Sequence, residues 1–396
     1  MLIWLLGALA ALSLPLLPGA AFAEDAAFSR LRAEIRPAAL ARGVTEATLA
    51  STFAGLSPDP EVRALLKRQP ESNVTAGRYV SARTGAGTVA AGRRQAESWA
   101  SVLRATERQT GVPAAIAVAV WGLESGYGAA TGRKDAIRSL ATLAAYGDRP
   151  DFYRAELVEA LAILQSGAAA RERLQGSWAG AMGQTQFMPT SYTRFGADGD
   201  WDGQVDIWTS VPDALASTAN YLRAYGWQPG LPALVAVRLP AGLDPLASRD
   251  DFADWRRRGV ARANGGALPP AGTAVLVQPA GHAGPAFLAT ENFVVLKSYN
   301  ASDVYAIAVA LLADRIEGRP PLEASWPEER PLAKADRIAL NRYLKGRGFR
   351  VPDVESRIDF DLRDAVRAVQ AERGLPVDGQ PTYGLLGALG IGRAGR

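Results

Sequence analysis

Between Arg108 and Arg133 the chain carries one charged side chain, Glu124, set in the run VAVWGLESGYG (118–128). A carboxyl at the end of an apolar helix loses hydration, which disfavours its ionised form and raises its pKa. A carboxyl that stays protonated at neutral pH is what a general acid needs to protonate a glycosidic oxygen. A glutamate that merely points from a helix end into water is the common alternative, and this run alone leaves both open. A second segment, GSWAGAMGQTQFMP (176–189), brings Ser177, two glutamines and a tryptophan into a glycine-punctuated loop. Glycines let backbone approach a ligand closely while amides bond its hydroxyl and acetamido groups; the alternative is a turn-rich connection over buried Phe and Met. A third segment, DGDWDGQVD (198–206), places side-chain oxygens at positions 1, 3, 5 and 9 of an EF-hand-like loop, with Gly203 at position 6. Position 12 is Thr209, so the bidentate glutamate is missing. Asp198, Asp200, Asp202, Gln204 and Asp206 are therefore expected either to hold Ca²⁺ or Na⁺ weakly or to cap backbone amides of the turn.

The residues that are absent narrow the chemistry further. Cysteine does not occur and His282 is the single histidine, which removes thiol catalysis and zinc sites built on two histidines or a cysteine cluster. Ser-His-Asp hydrolysis could run only through His282. Catalysis must lean on carboxylates, hydroxyls and amides, with no required cofactor. The net charge of +4 suits an anionic polymer but is too diffuse to argue for nucleic acid.

The elements that must position these groups read as mainly helical. Ala26–Arg42 and Arg93–Arg108 carry helical periodicity, whereas the polar, Gly/Thr/Ser-rich stretch Gln69–Gly92 reads as an extended excursion. Pro113 opens a helix that runs to about Ser125 and stops at Gly126 and Gly128. Further helices are expected over Asp151–Ser166, after the capping Ser210, and over the apolar Val304–Ile316 behind Ser302. Leu234–Leu239 and Thr273–Gln278 are short β-branched runs, so a small β element is expected. Residues 1–23, an apolar stretch ending in Ala21-Phe22-Ala23, read as a signal peptide cleaved after Ala23 and without lipid attachment, which places the mature chain in the periplasm. Residues 24–317 form the main domain, 318–330 (GRPPLEASWPEER) a linker, and 331–392 a small three-helix domain.

Taken in order, WGLESGYG (121–128), GAMGQTQFMP (180–189) and KSYNASDVYAIAV (297–309) resemble the lytic murein transglycosylase B family, glycoside hydrolase family 103, over roughly residues 26–316. The resemblance implies an α+β, lysozyme-like catalytic domain that cleaves the MurNAc–GlcNAc β-1,4 bond of peptidoglycan and leaves 1,6-anhydro-MurNAc ends. Residue by residue, Glu124 falls on the catalytic acid/base. Ser177 and Gln186 fall on substrate contacts, Tyr299, Asn300 and Tyr305 on the third motif, and Tyr146 on a tyrosine beside the cleft. The C-terminal segments DAVRAVQ (364–370) and RGLPVDG (373–379) resemble the peptidoglycan-binding domain 1 type, which implies anchoring to the wall. The implied partners are glycan strands, with cell-wall synthases or division proteins as protein partners of a monomer. Two other readings stand beside this one: a water-using muramidase with Asp198 or Asp206 as second carboxylate, and a non-catalytic wall-binding protein.

Overall fold

The computed structural model describes residues 26–68, 74–328, 330–354 and 357–392; the expected signal peptide lies outside them. Six helices lead the chain: α1 (Ala26–Ala41), α2 (Glu46–Phe53), α3 (Pro60–Arg68), α4 (Ala76–Arg83), α5 (Ala86–Ser98) and α6 (Ala100–Thr110). The central set is α7 (Ala114–Ser125), α8 (Ala136–Tyr146), α9 (Pro150–Ser166), α10 (Pro189–Phe195) and α11 (Val211–Ala224). After α12 (Phe252–Arg257) come α13 (Glu291–Tyr299) and α14 (Asp303–Ile316). Among the described residues, no helix is long and apolar enough to cross a membrane.

Helix α7 is the axis of the body. Every residue from Ala115 to Leu123 is buried, so it has no solvent face and must be enclosed on all sides. α5, α6, α11 and α14 enclose it. Full burial of its valine, isoleucine, leucine and tryptophan side chains stabilises the body by about 1.5–3 kcal/mol each. Two short strands, β1 (Lys134–Asp135) and β2 (Gln175–Gly176), pair antiparallel next to α8. The expected β element is a five-stranded sheet, β4 (Arg249–Asp251), β6 (Thr273–Val277), β7 (Ala286–Ala289), β3 (Leu234–Arg238) and β5 (Ala261–Arg262) in spatial order. It has a core of its own around Phe252, Trp255 and Leu288.

One expectation is overturned. Gln69–Gly92 is not an extended excursion: α4 and the first half of α5 occupy it from Ala76 onward. Thr75 caps α4 by accepting from the Arg78 amide, and the glycines that read as breakers sit inside helices as close-packing points. A Cβ on Gly77 would lie 2.4 Å from the Trp326 side chain, and one on Gly92 2.7 Å from both Ile316 and the Tyr127 hydroxyl. The expected helix Arg93–Arg108 is likewise divided at Trp99, where α5 ends and α6 begins.

Segment 318–328 has no regular secondary structure beyond its first turn, yet it is not loose. Leu322 and Trp326 pack on the main core, and Glu328 pairs with Arg78 of α4 through two hydrogen bonds of 2.9 Å. Beyond it, α15 (Lys334–Gly346), α16 (Phe360–Glu372) and α17 (Tyr383–Ala388) close around a separate core of Leu340, Leu344, Val366, Val369 and Leu385.

Candidate active site

Glu124 is the last residue but one of α7, and the chain reverses immediately after it. Gly126, Tyr127 and Gly128 all adopt positive φ, at 59°, 61° and 83°. For Tyr127 this left-handed conformation is costly, and packing holds it. Its ring returns edge-on against Trp121 at 5.5 Å, and its hydroxyl donates to the Thr88 carbonyl at 2.9 Å. Gly122 makes that return fit, since a Cβ there would sit 2.6 Å from the Tyr127 ring. The WGLESGYG spacing is thus a helix end folded back on itself with Glu124 at the turn.

The surroundings of the carboxyl come from three further elements. Tyr305 of α14 donates its hydroxyl proton to Glu124 Oε1 at 2.6 Å. Tyr299 of α13 and Tyr79 and Arg83 of α4 lie within electrostatic range. Burial pushes the Glu124 carboxyl from 4.5 up to about 7, against the opposing pull of the Tyr305 hydrogen bond and the Arg83 charge. Burial also holds Tyr299 and Tyr305 well above the ordinary tyrosine value, so both remain donors. A carboxyl so placed keeps both its protonated and its ionised form accessible near neutrality, and can both give and take a proton.

The glycine loop is fastened to the same helix. Gln184, buried, accepts from Trp121 Nε1 at 3.0 Å and donates to the Trp208 carbonyl at 3.4 Å. Gly176 and Phe187 both bridge to Met182, making a tight antiparallel fold, while Gly180 and Gly183 take positive φ. Ser177 closes this fold, its amide donating to the Ala181 carbonyl at 2.7 Å and its hydroxyl oxygen accepting from the Ala181 amide at 3.2 Å. Gln186, itself at φ 51°, donates its amide to the Thr131 and Gly183 carbonyls at 3.0 and 2.9 Å. Tyr299 reaches the loop from the other side, its hydroxyl donating to the Thr185 carbonyl at 2.7 Å.

The remaining candidates are placed as follows. Asn300 is exposed and uses Oδ1 to accept from the Ser302 amide at the turn between α13 and α14. Tyr146, the last residue of α8, lies under the Arg63 guanidinium at 4.3 Å, a contact with α3. In the acidic loop, Asp198 accepts from the Trp201 and Gly203 amides at 2.6 and 2.8 Å, and Asp202 from Gln204 at 2.8 Å. Asp198, Asp200 and Asp202 still bring one oxygen each within 4.8 Å of the others, and Gln204 is exposed. Asp206 points elsewhere: it accepts from Trp208, Thr209 and Arg173. Tyr79 and Arg83 were not singled out from the sequence, Gln184 was read only as an amide of the glycine loop, and Asp213 only as part of a capping box. Asp213, buried, accepts from the Gly199 and Asp206 amides at 2.7 and 2.6 Å and so holds the whole acidic loop onto α11. No local spacing announces Tyr79 and Arg83 beyond their being four apart on α4.

One largely enclosed carboxyl at a helix end, tyrosines around it and a glycine loop beside it suit acid–base chemistry on a glycosidic bond, and the relatives of this chain are lytic transglycosylases. The chain belongs to the transglycosylase SLT domain family, whose model matches residues 27–314, and a putative peptidoglycan binding domain matches residues 333–389. SltB3 from Pseudomonas aeruginosa is 44% identical, with a TM-score of 0.83 over 92% of this chain and 100% of its own, and was solved with NAG-anhNAM-pentapeptide and with NAG-NAM-pentapeptide. Escherichia coli Slt35, solved with calcium, is 26% identical with a TM-score of 0.63, covering 75% of this chain and 94% of its own. Membrane-bound lytic murein transglycosylase B of E. coli K12 is 39% identical over 121 residues, 30% of this chain and only 33% of that protein.

Proposed function

We propose that this chain cleaves the MurNAc–GlcNAc β-1,4 bond of peptidoglycan with Glu124 as sole acid and base, releasing 1,6-anhydro-MurNAc ends. Protonated Glu124 gives its proton to the glycosidic oxygen as the C1–O bond breaks. The acetamido group of the MurNAc ring shares the positive charge left at C1. The same Glu124, now a carboxylate, takes the proton from that ring's C6 hydroxyl as its oxygen bonds to C1. No water is consumed, and the nucleophile is held intramolecularly, which is worth a large effective concentration. Ser177, Gln186, Tyr299, Asn300, Tyr305 and Tyr146 are the substrate contacts of this reading.

The observation that carries it is the Glu124 carboxyl, poised near neutrality against Tyr305. The water-using alternative fares worse: Asp206 is held by Arg173 and Thr209, and Asp198 by amides of its own loop. Further parts of the reading are periplasmic location after loss of residues 1–23, a division into 24–317, 318–330 and 331–392, and a weak cation site at Asp198, Asp200 and Asp202.

Mass spectrometry of the products released from purified sacculi tests the mechanism. Fragments one water lighter than reducing ends, absent with Glu124→Gln, are expected. Ordinary reducing ends would establish a hydrolase instead.

A further inference from the structure

The first turn of α14 is held by groups from other elements. α8, α11 and α13 begin with side-chain caps from Asp135, Ser210 and Thr290, but Ser302 makes no capping bond at the start of α14. The next residue, Asp303, is buried, and its partners come from elsewhere. Arg363 of α16 donates to Asp303 Oδ2 from Nε at 3.2 Å and from Nη2 at 2.7 Å, and Lys297 of α13 pairs with Oδ1 at 2.5 Å. Arg363 is 3% exposed and spends its remaining donors inside its own module, on Gly379 and Gln380. Burial alone would push the Asp303 carboxyl up, but the two cations hold it below the ordinary aspartate value. Phe360 of α16 stacks on Phe293 of α13 at 6.2 Å, so the C-terminal module is seated on the α13–α14 turn by contacts other than charge as well. Two residues beyond Asp303, on the opposite side of the helix, Tyr305 meets Glu124.

We propose that Asp303 and Arg363 are positioning residues for the cleavage reaction. Through them the C-terminal module, besides any anchoring to the wall, sets the Tyr305 hydroxyl on the Glu124 carboxyl. The inference rests on Glu124 being the acid/base. Removing the Arg363 charge leaves a buried carboxylate with half its partners, and a shift of the uncapped first turn is the available relief. A displacement of about 1 Å at a reacting group is worth on the order of 100-fold in rate. The groups that face Glu124 are Tyr305 on α14, Tyr299 on α13, and Tyr79 and Arg83 on α4. Tyr305 bonds Glu124 directly and shares its helix with Asp303, while Tyr299 on α13 is linked to the module through Lys297, which donates to the Ile358 carbonyl at 3.3 Å, and through the Phe293–Phe360 stack.

The test uses the full chain on a soluble glycan fragment of two disaccharides, too short for anchoring to concentrate it. Arg363→Met is expected to lower kcat by at least about tenfold with little change in KM, the mark of an interaction made in the transition state. Its alkaline pH limb is expected to move to higher pH, because the Tyr305 bond favours the carboxylate form. Arg363→Lys is expected to restore much of both. Asp303→Asn, which leaves the module's own core untouched, should repeat the Arg363→Met pattern and so covers the case in which that variant unfolds the module. An unchanged kcat and pH profile on the fragment, with only sacculus binding weakened, would make the module an anchor and overturn the proposal. A lower kcat with an unmoved limb would overturn it too. If Glu124→Gln stays active, the catalytic reading itself falls; if Glu124→Gln is dead while Arg363→Met is normal, only the positioning role falls.

Discussion

A carboxyl raised from 4.5 to about 7 by burial is a standing cost to the folded state above neutrality, and Glu124→Gln should relieve it. The sign follows from the proton count. The folded chain binds the Glu124 proton more tightly than the unfolded chain, so Glu124 favours folding most at pH below about 4.5 and loses that advantage as pH rises through about 7. The full interval corresponds to about 3 kcal/mol. Because the carboxyl keeps a partial opening to solvent, the realised figure is nearer about 2 kcal/mol. Gln keeps the shape and still accepts from Tyr305, so the variant loses the pH-dependent cost alone. For a body of this size, about 2 kcal/mol is about 3 °C in Tm. Thermal unfolding of wild type and Glu124→Gln, followed by near-ultraviolet circular dichroism, should coincide at pH 4 and separate at pH 8.5, with the variant higher. Every other titrating group is common to both proteins and cancels. A variant equally or less stable at pH 8.5 would show that Glu124 is solvated and ionised there, and the argument for a poised acid would fail.

Tyr305→Phe removes the one direct hydrogen bond to Glu124 among the described residues; kcat should fall about tenfold and the alkaline limb should move upward, read from kcat across pH 5–9. Asp213→Ala orphans two half-buried amides of the acidic loop, and a loss of about 2 kcal/mol is expected in denaturant unfolding. Calcium titrated calorimetrically should bind no tighter than about 10⁻⁴ M, since the loop carboxylates already serve backbone amides and position 12 is a threonine; a micromolar site would contradict this.

The parts of the fold that could be read in advance are those with short-range causes. α7 declared itself by an apolar run with Pro113 before it and Gly126 after it, and Glu124 by being the lone charge within it. α11 announced its start through Ser210, whose hydroxyl oxygen accepts from the Asp213 amide. What escaped has long-range causes. Gly77 and Gly92 look like helix breakers until Trp326 and Ile316, far along the chain, are found against them. Glycine reports either a positive φ or a close approach, and composition cannot tell which. The stretch 318–328 reads as a loose connector for the same reason, since nothing local reveals that Trp326 and Glu328 reach α4. Gln184 looked like a sugar-binding amide of the glycine loop, whereas its side chain is buried against Trp121 and fixes the loop to α7.

A one-carboxyl mechanism constrains the site more than a two-carboxyl one. A pair of acids can be pushed apart, one kept protonated and the other ionised. A single acid that must first give a proton and then take one needs a pKa close to the working pH, where neither step is starved of its reactive form. Burial at the end of α7 drives Glu124 upward, while Tyr305 and Arg83 pull it back, and the result settles at about 7. The opposing groups sit on different helices, α14 and α4, and both of those helices are gripped from the C-terminal side, α14 through Asp303 and Arg363 and α4 through Trp326 and Glu328. The balance at the carboxyl is therefore a property of the whole chain, and truncation before residue 318 should disturb the chemistry as well as the anchoring.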